Sequence, residues 1–532
     1  MKQIKNILLA AIGVITLFSC NKKIEELQSN PNKPTSTPPN LILSAILTDI
    51  SGTQTNGTLG DIQSWGAVQR WNQYYCRNYS YYGDNQYTWQ SASFDPYLVL
   101  KNIAQMETEA TSRGAAAVNP YKAIGKFVKG YYFYNLTSLM GDVPLNDALS
   151  GAANLAPSYT PQKQVFQYVL NILDSANTDL TALINASDNS LLGDIYYSNN
   201  LAQWRKLVNS FKLRVLISLS NKAADPDLNV PAQFAKIINN PAQFPIFQSV
   251  ADDLAFVYQP IYNIYPRNPA DYGSNATRFN MAQTYVKSLT DLRDARVYVT
   301  CEPAWKLVDS LGYTPTDFKA FVGASTGAAI GQMSLDANAG RISLLNRKKY
   351  SDTYVGEADV LVGYKELCFN IAEAINRGWI TGNDETWYVK GITESMKFYG
   401  LDPSGTSFTA YFLQPGNAIG NYTGYPFTFD FNTYYNQSAV LYAGGATGIS
   451  QIILQKYLAM YQNSGWEAYF NYRRTGVPAF QGGTGVGNNG IIPKRWGYPV
   501  SEQSVNTANW KAALANQQFS TDDINGSMWL IK

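Results

Sequence analysis

The residues best equipped for chemistry in this 532-residue chain are aromatic rings set among short polar side chains. Residues 71–90, WNQYYCRNYSYYGDNQYTWQ, interleave Trp71, Tyr75, Tyr81, Tyr82 and Trp89 with Asn72, Gln73, Arg77, Asn78, Asp84, Asn85 and Gln86. The run carries no apolar aliphatic side chain, so it does not read as a core strand. Rings can cover the C–H faces of a sugar or the side chains of a peptide, while amide, carboxylate and guanidinium groups hydrogen-bond the rim. A second stretch of the same kind, YQPIYNIYPRNPADY (258–272), offers Tyr262, Tyr265, Arg267 and Tyr272 beside Asn268 and Asp271. A third, YTGYPFTFDFNTYYNQ (422–437), suits a protein contact equally well, because Tyr and Phe are enriched at interfaces. Against each stands the plainer reading that rings pack loops onto helices. Tyr131, Tyr132 and Tyr134 lie in a helical segment and are assigned to packing.

Other chemistry is thinner. The chain has no histidine, which removes His-based Ser or Cys triads, HExxH zinc sites and His-bearing facial triads. Glycoside hydrolysis needs only two carboxylates and survives this test. Asp84, Asp95, Asp252 and Asp253 are candidates, but no spacing marks a catalytic pair, and solvation or helix capping accounts for each. GVGNNG (485–490) satisfies G-x-G-x-x-G without the strand-to-helix setting a dinucleotide site needs. DPDLNV (225–230) starts like a calcium loop, but Val230 stands where the turn glycine belongs. The spacing of Cys76, Cys301 and Cys368 fits no metal pattern, and Cys368 lies on an apolar helical face as a small buried hydrophobe. No catalytic residue, metal or cofactor is predicted.

The first twenty residues fix a location. Lys2 and Lys5 precede an uncharged run, Ile7–Phe18. As a helix its twelve residues would rise about 18 Å, against a hydrocarbon thickness of about 30 Å, so it reads as a signal peptide and not a span. It ends Leu17-Phe18-Ser19-Cys20, which resembles the lipobox of bacterial lipoproteins and implies cleavage before a lipidated Cys20. Loss of residues 1–19 removes two lysines and no acid, leaving basic and acidic residues balanced. A near-neutral chain argues against nucleic acid and against polybasic membrane docking. The expected organisation is a signal peptide (1–19), a lipidated Cys20 with a proline-bearing stalk to residue 39, and one domain over 40–532.

The elements that must position the rings are mostly helices. Asp95-Pro96, Asn119-Pro120 and Thr160-Pro161 pair a capping side chain with proline and predict helices running to about Ser112, Met140 and Ala186. Further helices are expected over 200–222, 232–239, 357–379, 384–399 and 449–475. Tyr364, Leu367, Cys368, Ile371, Ala372 and Ile375 form an amphipathic stripe. The two helices around the Gly378–Asn383 turn make a hairpin the size of one tetratricopeptide repeat. The segment 241–356 reads as less regular, with an aromatic and proline-rich loop, and 401–446 as Gly- and aromatic-rich sequence.

Several of these stretches together resemble the SusD/RagB-type, SusD-like, nutrient-binding lipoproteins of Bacteroidetes outer membranes. They are NPNKPT (30–35), GKFVKGYYFYNLTSLMGDVPLNDAL (125–149), LVNSFKLRVLISLS (207–220), NIAEAINRGW (370–379), GITESMKFYG (391–400), ILQKYLAMYQNSGWEAYFNYRRTGVP (453–478) and IPKRWGYPVSEQ (492–503). The resemblance implies a mostly α fold with tetratricopeptide-like helical hairpins, long irregular loops and few short strands. It also implies a non-enzymatic protein anchored at the outer membrane and facing outward. Its partner would be a TonB-dependent, SusC-like transporter, and its ligand an oligosaccharide or, as a variant, a peptide. A lipid-anchored glycoside hydrolase and a ligand-free adhesin are the readings from other classes.

Overall fold

The computed structural model describes residues 36–52, 59–405 and 407–532, without the side chains of Tyr82 and Ser274. The predicted signal peptide, Cys20 and most of the stalk lie outside the described residues. The longer helices are α1 (Pro39–Ile50), α2 (Pro96–Ser112), α3 (Pro120–Met140), α4 (Gln162–Asn185), α5 (Leu201–Ser218), α6 (Val230–Asn239), α7 (Tyr364–Asn376), α8 (Asp384–Phe398), α9 (Gly445–Ala459) and α10 (Glu467–Thr475). Among the described residues eight short strands pair two by two, all antiparallel: β1 (Tyr75–Arg77) with β5 (Phe279–Met281), β2 (Val143–Pro144) with β3 (Tyr159–Thr160), β4 (Leu254–Phe256) with β6 (Asp359–Val362), and β7 (Ser407–Leu413) with β8 (Tyr422–Thr428). This is the mostly helical architecture that the sequence implied.

Helix starts follow the punctuation of the chain. The side chains of Asn119, Asn200 and Asn383 accept from the backbone N–H of Lys122 (3.1 Å), Ala202 (3.0 Å) and Thr386 (2.9 Å), satisfying donors that a helix start leaves open. Asp95 makes no such bond, and before α4 Pro161 rather than Thr160 holds the cap position. Consecutive helices from α2 to α6 pack side by side, and α7 packs on α8, α9 and α5. One continuous cluster of buried apolar side chains joins them, from Leu43 on α1 to Leu530 near the C-terminus. Among the described residues no helix is long and apolar enough to cross a membrane.

Three boundaries differ from the sequence reading, each for a tertiary reason. The expected helix over 449–475 is two, because Gln462, Ser464 and Gly465 adopt positive φ between α9 and α10. That break is held by β6: Val360 N–H donates to the Asn463 side chain (2.7 Å), and Ser464 N–H donates to the Val360 carbonyl (2.7 Å). The expected helix over 357–379 begins only at Tyr364, since 359–362 is the strand that pairs with β4. Within 401–446, β7 and β8 form a seven-residue antiparallel ribbon, from Ser407 opposite Thr428 to Leu413 opposite Tyr422.

Candidate functional site

The first ring-bearing stretch pairs through β1 with β5, a strand that follows the second stretch in the chain, with Tyr75 opposite Met281 and Arg77 opposite Phe279. The ring of Phe279 is shared by two guanidinium groups, those of Arg77 and Arg267, each 4.0 Å from its centre. Arg267 is also paired with Asp271 at 2.9 Å. Burial, with the Arg77 charge beside it, lowers the Arg267 pKa, and Asp271 opposes that shift. Asn268 fixes the segment by accepting from Ala270 N–H (3.0 Å) and Asp271 N–H (3.1 Å) at the start of the short helix Pro269–Asn275.

The loop after β1 is pinned at both roots. Asn85 accepts from Arg77 N–H (2.8 Å) and donates to the Arg77 carbonyl (2.9 Å), in the manner of a strand partner. Asp84 accepts from Gln86 N–H (2.9 Å), and Trp71 Nε1 donates to the Gln86 carbonyl (3.0 Å). The intervening tip therefore points outward, with Tyr79 47% and Tyr81 81% exposed. The Arg278 guanidinium lies 4.2 Å from the centre of the Tyr79 ring. Arg70 lies under the tip, its Nη1 only 2.9 Å from where a Cβ on Gly83 would stand, and Gly83 has φ +108°. The side chain of Tyr82 lies outside what the structure describes. In the second stretch Tyr262 is 77% exposed, and the half-buried Tyr272 hydroxyl accepts from Arg347 Nη1 (3.4 Å).

The expectation that Tyr75, Trp89 and Tyr265 face a ligand is corrected by their burial. All three are almost completely enclosed. Tyr75 donates from its hydroxyl to the Trp65 carbonyl (2.5 Å), and Tyr265 accepts from Trp65 Nε1 (2.8 Å), so both anchor the segment before β1. Trp89 stacks on Trp496 (5.2 Å, 12°) and meets Trp71 edge-on (5.5 Å, 89°). A polar neighbourhood in sequence did not keep these rings at the surface, because large apolar areas are the first to be buried.

Trp71 itself is half-buried and stacks on Trp466 (5.7 Å, 16°). Its indole, with those of Trp466 and Trp496, lines a cleft of about 470 Å³ that also presents Asp61, Ser91, Ser93 and Asp95. Sequence reasoning missed Trp466, Trp496 and Asp61 as wall residues, and Arg70 and Arg278 as neighbours of the tyrosine loop. The two tryptophans sit within quoted family stretches, yet nothing local to those stretches shows that they converge on Trp71.

The remaining carboxylate candidates have structural partners. Asp252 pairs with Lys206 (2.8 Å), and Asp253 accepts from Tyr364 N–H (2.6 Å) at the start of α7. Burial holds Asp253 up at about 7, and Asp359 likewise, although Ser64 and Tyr258 donate to the latter. Cys76, Cys301 and Cys368 are free and buried, and burial pushes each thiol up to about 12. GVGNNG forms two short 3₁₀ turns within a loop.

No curated protein matches the sequence. Among solved structures, a SusD homologue of Bacteroides fragilis is 29% identical with a TM-score of 0.74 over 93% of this chain and 100% of its own. An outer-membrane protein of Bacteroides vulgatus, ascribed to nutrient binding, is 27% identical with a TM-score of 0.76 over the same shares. A chitin-binding SusD homologue of Flavobacterium johnsoniae shares the fold at 17% identity, with a TM-score of 0.67 over 93% of this chain and 98% of its own. Residues 31–499 match the family model described as starch-binding associating with outer membrane, and the chain thus belongs to the SusD-like family of outer-membrane nutrient-binding proteins.

Proposed function

We propose that this chain is a lipid-anchored surface protein that captures an oligosaccharide and passes it to a TonB-dependent, SusC-like transporter. One observation carries the reading. The exposed ring of Tyr79, with that of Tyr81 beside it, lies against Arg278, next in the chain to the Phe279 ring that carries Arg77 and Arg267, one from each ring-bearing stretch. Rings for sugar faces beside guanidinium and carboxylate groups for hydroxyls are what carbohydrate capture requires. Tyr81, Tyr82, Asp84, Arg77, Arg267, Tyr262 and Tyr272 are assigned to this surface, and Trp71 to the adjoining cleft. The starch-binding description of the family and the chitin-binding neighbour support a glycan over a peptide. One domain over residues 40–532, tethered through Cys20, is part of the same reading.

The test is calorimetric titration of the chain from residue 20 onward with oligosaccharides and peptides of defined length. Micromolar binding of a glycan without turnover supports capture. Product formation abolished by Asp61→Asn or Asp95→Asn would instead make the tryptophan cleft a hydrolase site, and preferential binding of peptides would replace the ligand class.

A further inference from the structure

The charges at the tyrosine loop do not balance. Most arginines of the described residues meet a carboxylate, several of them deep in the core, such as Arg296 with Asp294 (2.6 Å) and Arg214 with Glu366. Arg70 and Arg77 are half-buried, and neither has a carboxylate within ion-pair distance or a side-chain hydrogen bond among the described residues. The Nε of each is buried without an acceptor. Of the acids in the two stretches, Asp271 pairs with Arg267, and Asp84 accepts from Gln86 N–H and lies within ion-pair distance of neither arginine. Partly desolvated guanidinium groups that lack acceptors are costly, and an anionic oxygen pair is the group that matches their planar fork. The tryptophan cleft has the opposite character, with Asp61 and Asp95 and, among the described residues, no basic residue on its wall.

Resting on the capture reading above, we infer that the glycan taken at the tyrosine loop is acidic, its carboxylate or sulfate received by Arg77 and Arg70 while Tyr79 and Tyr81 cover the sugar ring. Oxygen anions of either kind satisfy the same forks, so the structure assigns the charge and leaves its source to experiment. Phe279 is what makes the arrangement possible. By stacking on Arg77 it fixes the direction of the guanidinium without using its N–H groups.

The experiment titrates the chain from residue 20 onward with four matched probes. These are oligogalacturonate (carboxylate only), its carboxyl-reduced neutral form, a sulfated galactan oligosaccharide and its desulfated form. Hexaglutamate is the peptide comparison. At least one acidic glycan is expected to bind about tenfold or more tightly than its neutral counterpart, with the preference shrinking as salt is raised. Which of the two binds names the source of the charge. Arg70→Gln and Arg77→Gln should each erase most of that preference, weakening the acidic form far more than the neutral one, and Arg77→Lys should restore part of it. If Arg77→Gln fails to fold because Phe279 loses its partner, Arg70→Gln carries the test. Equal or tighter binding of the neutral forms, unaffected by the arginine variants, overturns the acidic assignment and leaves glycan capture standing. No binding of any glycan overturns capture itself, and tighter binding of hexaglutamate than of every glycan overturns both.

Discussion

At the scale of single residues, rings of one chemical type divide into two roles that burial distinguishes. Trp89 is enclosed by Trp71, Trp466, Tyr469 and Trp496, its ring centre within 5.5 Å of each of theirs. Trp89→Ala is expected to lower stability by about 3–5 kcal/mol, the usual result of emptying a large aromatic site, measured by urea denaturation. Tyr81 and Tyr262 are about four-fifths exposed, and their loss opens no cavity. Tyr81→Ala with Tyr262→Ala should leave the melting temperature within a degree or two and weaken glycan binding about tenfold. A variant that melts normally and binds normally would remove these two rings from the site. That 71–90 and 258–272 are rich in rings and short polar side chains was legible in the sequence. Which ring turns inward was not, because alternation along loops follows no fixed period.

At the scale of elements, the candidate site depends on one short pairing and one glycine. The tip between Arg77 and Asn85 folds back over Arg70, and Gly83 there takes φ +108° with ψ 151°, a region open to glycine almost alone. Gly83→Ala should cost about 1–3 kcal/mol and shift Arg70, because its new methyl group would meet Nη1. Chemical denaturation and the acidic-glycan titration together check this. Weakened binding at full stability would place the effect in the loop alone. Helix identity was readable from caps and periodicity, as at Asn119, Asn200 and Asn383. The break between α9 and α10 was not, since it is imposed by β6, a hundred residues earlier, bonding to Asn463 and Ser464. Strands of two to four residues leave too little pattern to read, and β1–β5, the pair that assembles the site, is of that kind.

At the scale of the whole molecule, buried charge sets the response to pH. Asp253 and Asp359 sit at about 7, raised by burial from an ordinary value near 3.8. The folded chain therefore holds protons that the unfolded chain has already released. Their contribution to stability is complete below about pH 4 and is lost as pH rises to about 7. Glu373 is held down at about 2 by Arg474 against its burial, so its contribution is present above about 4.5 and lost towards pH 2. Lys365, lowered to about 8 by burial, costs stability while charged and relaxes that cost as pH rises beyond 8. The melting temperature should accordingly be greatest near pH 5 and fall towards pH 7–8, and calorimetry across pH 3–9 checks it. A flat profile from 4 to 8 would mean that the two aspartates ionise without penalty. At the same scale, Cys20→Ala should abolish incorporation of labelled fatty acid and release the chain from the outer membrane, read by fractionation.

The sequence by itself determined the class of protein. Caps and helical periodicity require a helical scaffold, zero histidine excludes whole families of catalytic site, and Leu17–Cys20 resembles a lipobox. These are properties of local spacing and composition, which no later packing can change. Only the tertiary structure decided that Trp89, Tyr75 and Tyr265 are pillars while Tyr79, Tyr81 and Tyr262 are surface. It alone brought Arg77 and Arg267 to one phenyl ring and Trp466 and Trp496 to Trp71. The physical reason is that exposure and juxtaposition depend on contacts between residues hundreds of positions apart. Such contacts come into being only when the chain buries its apolar surface as a whole.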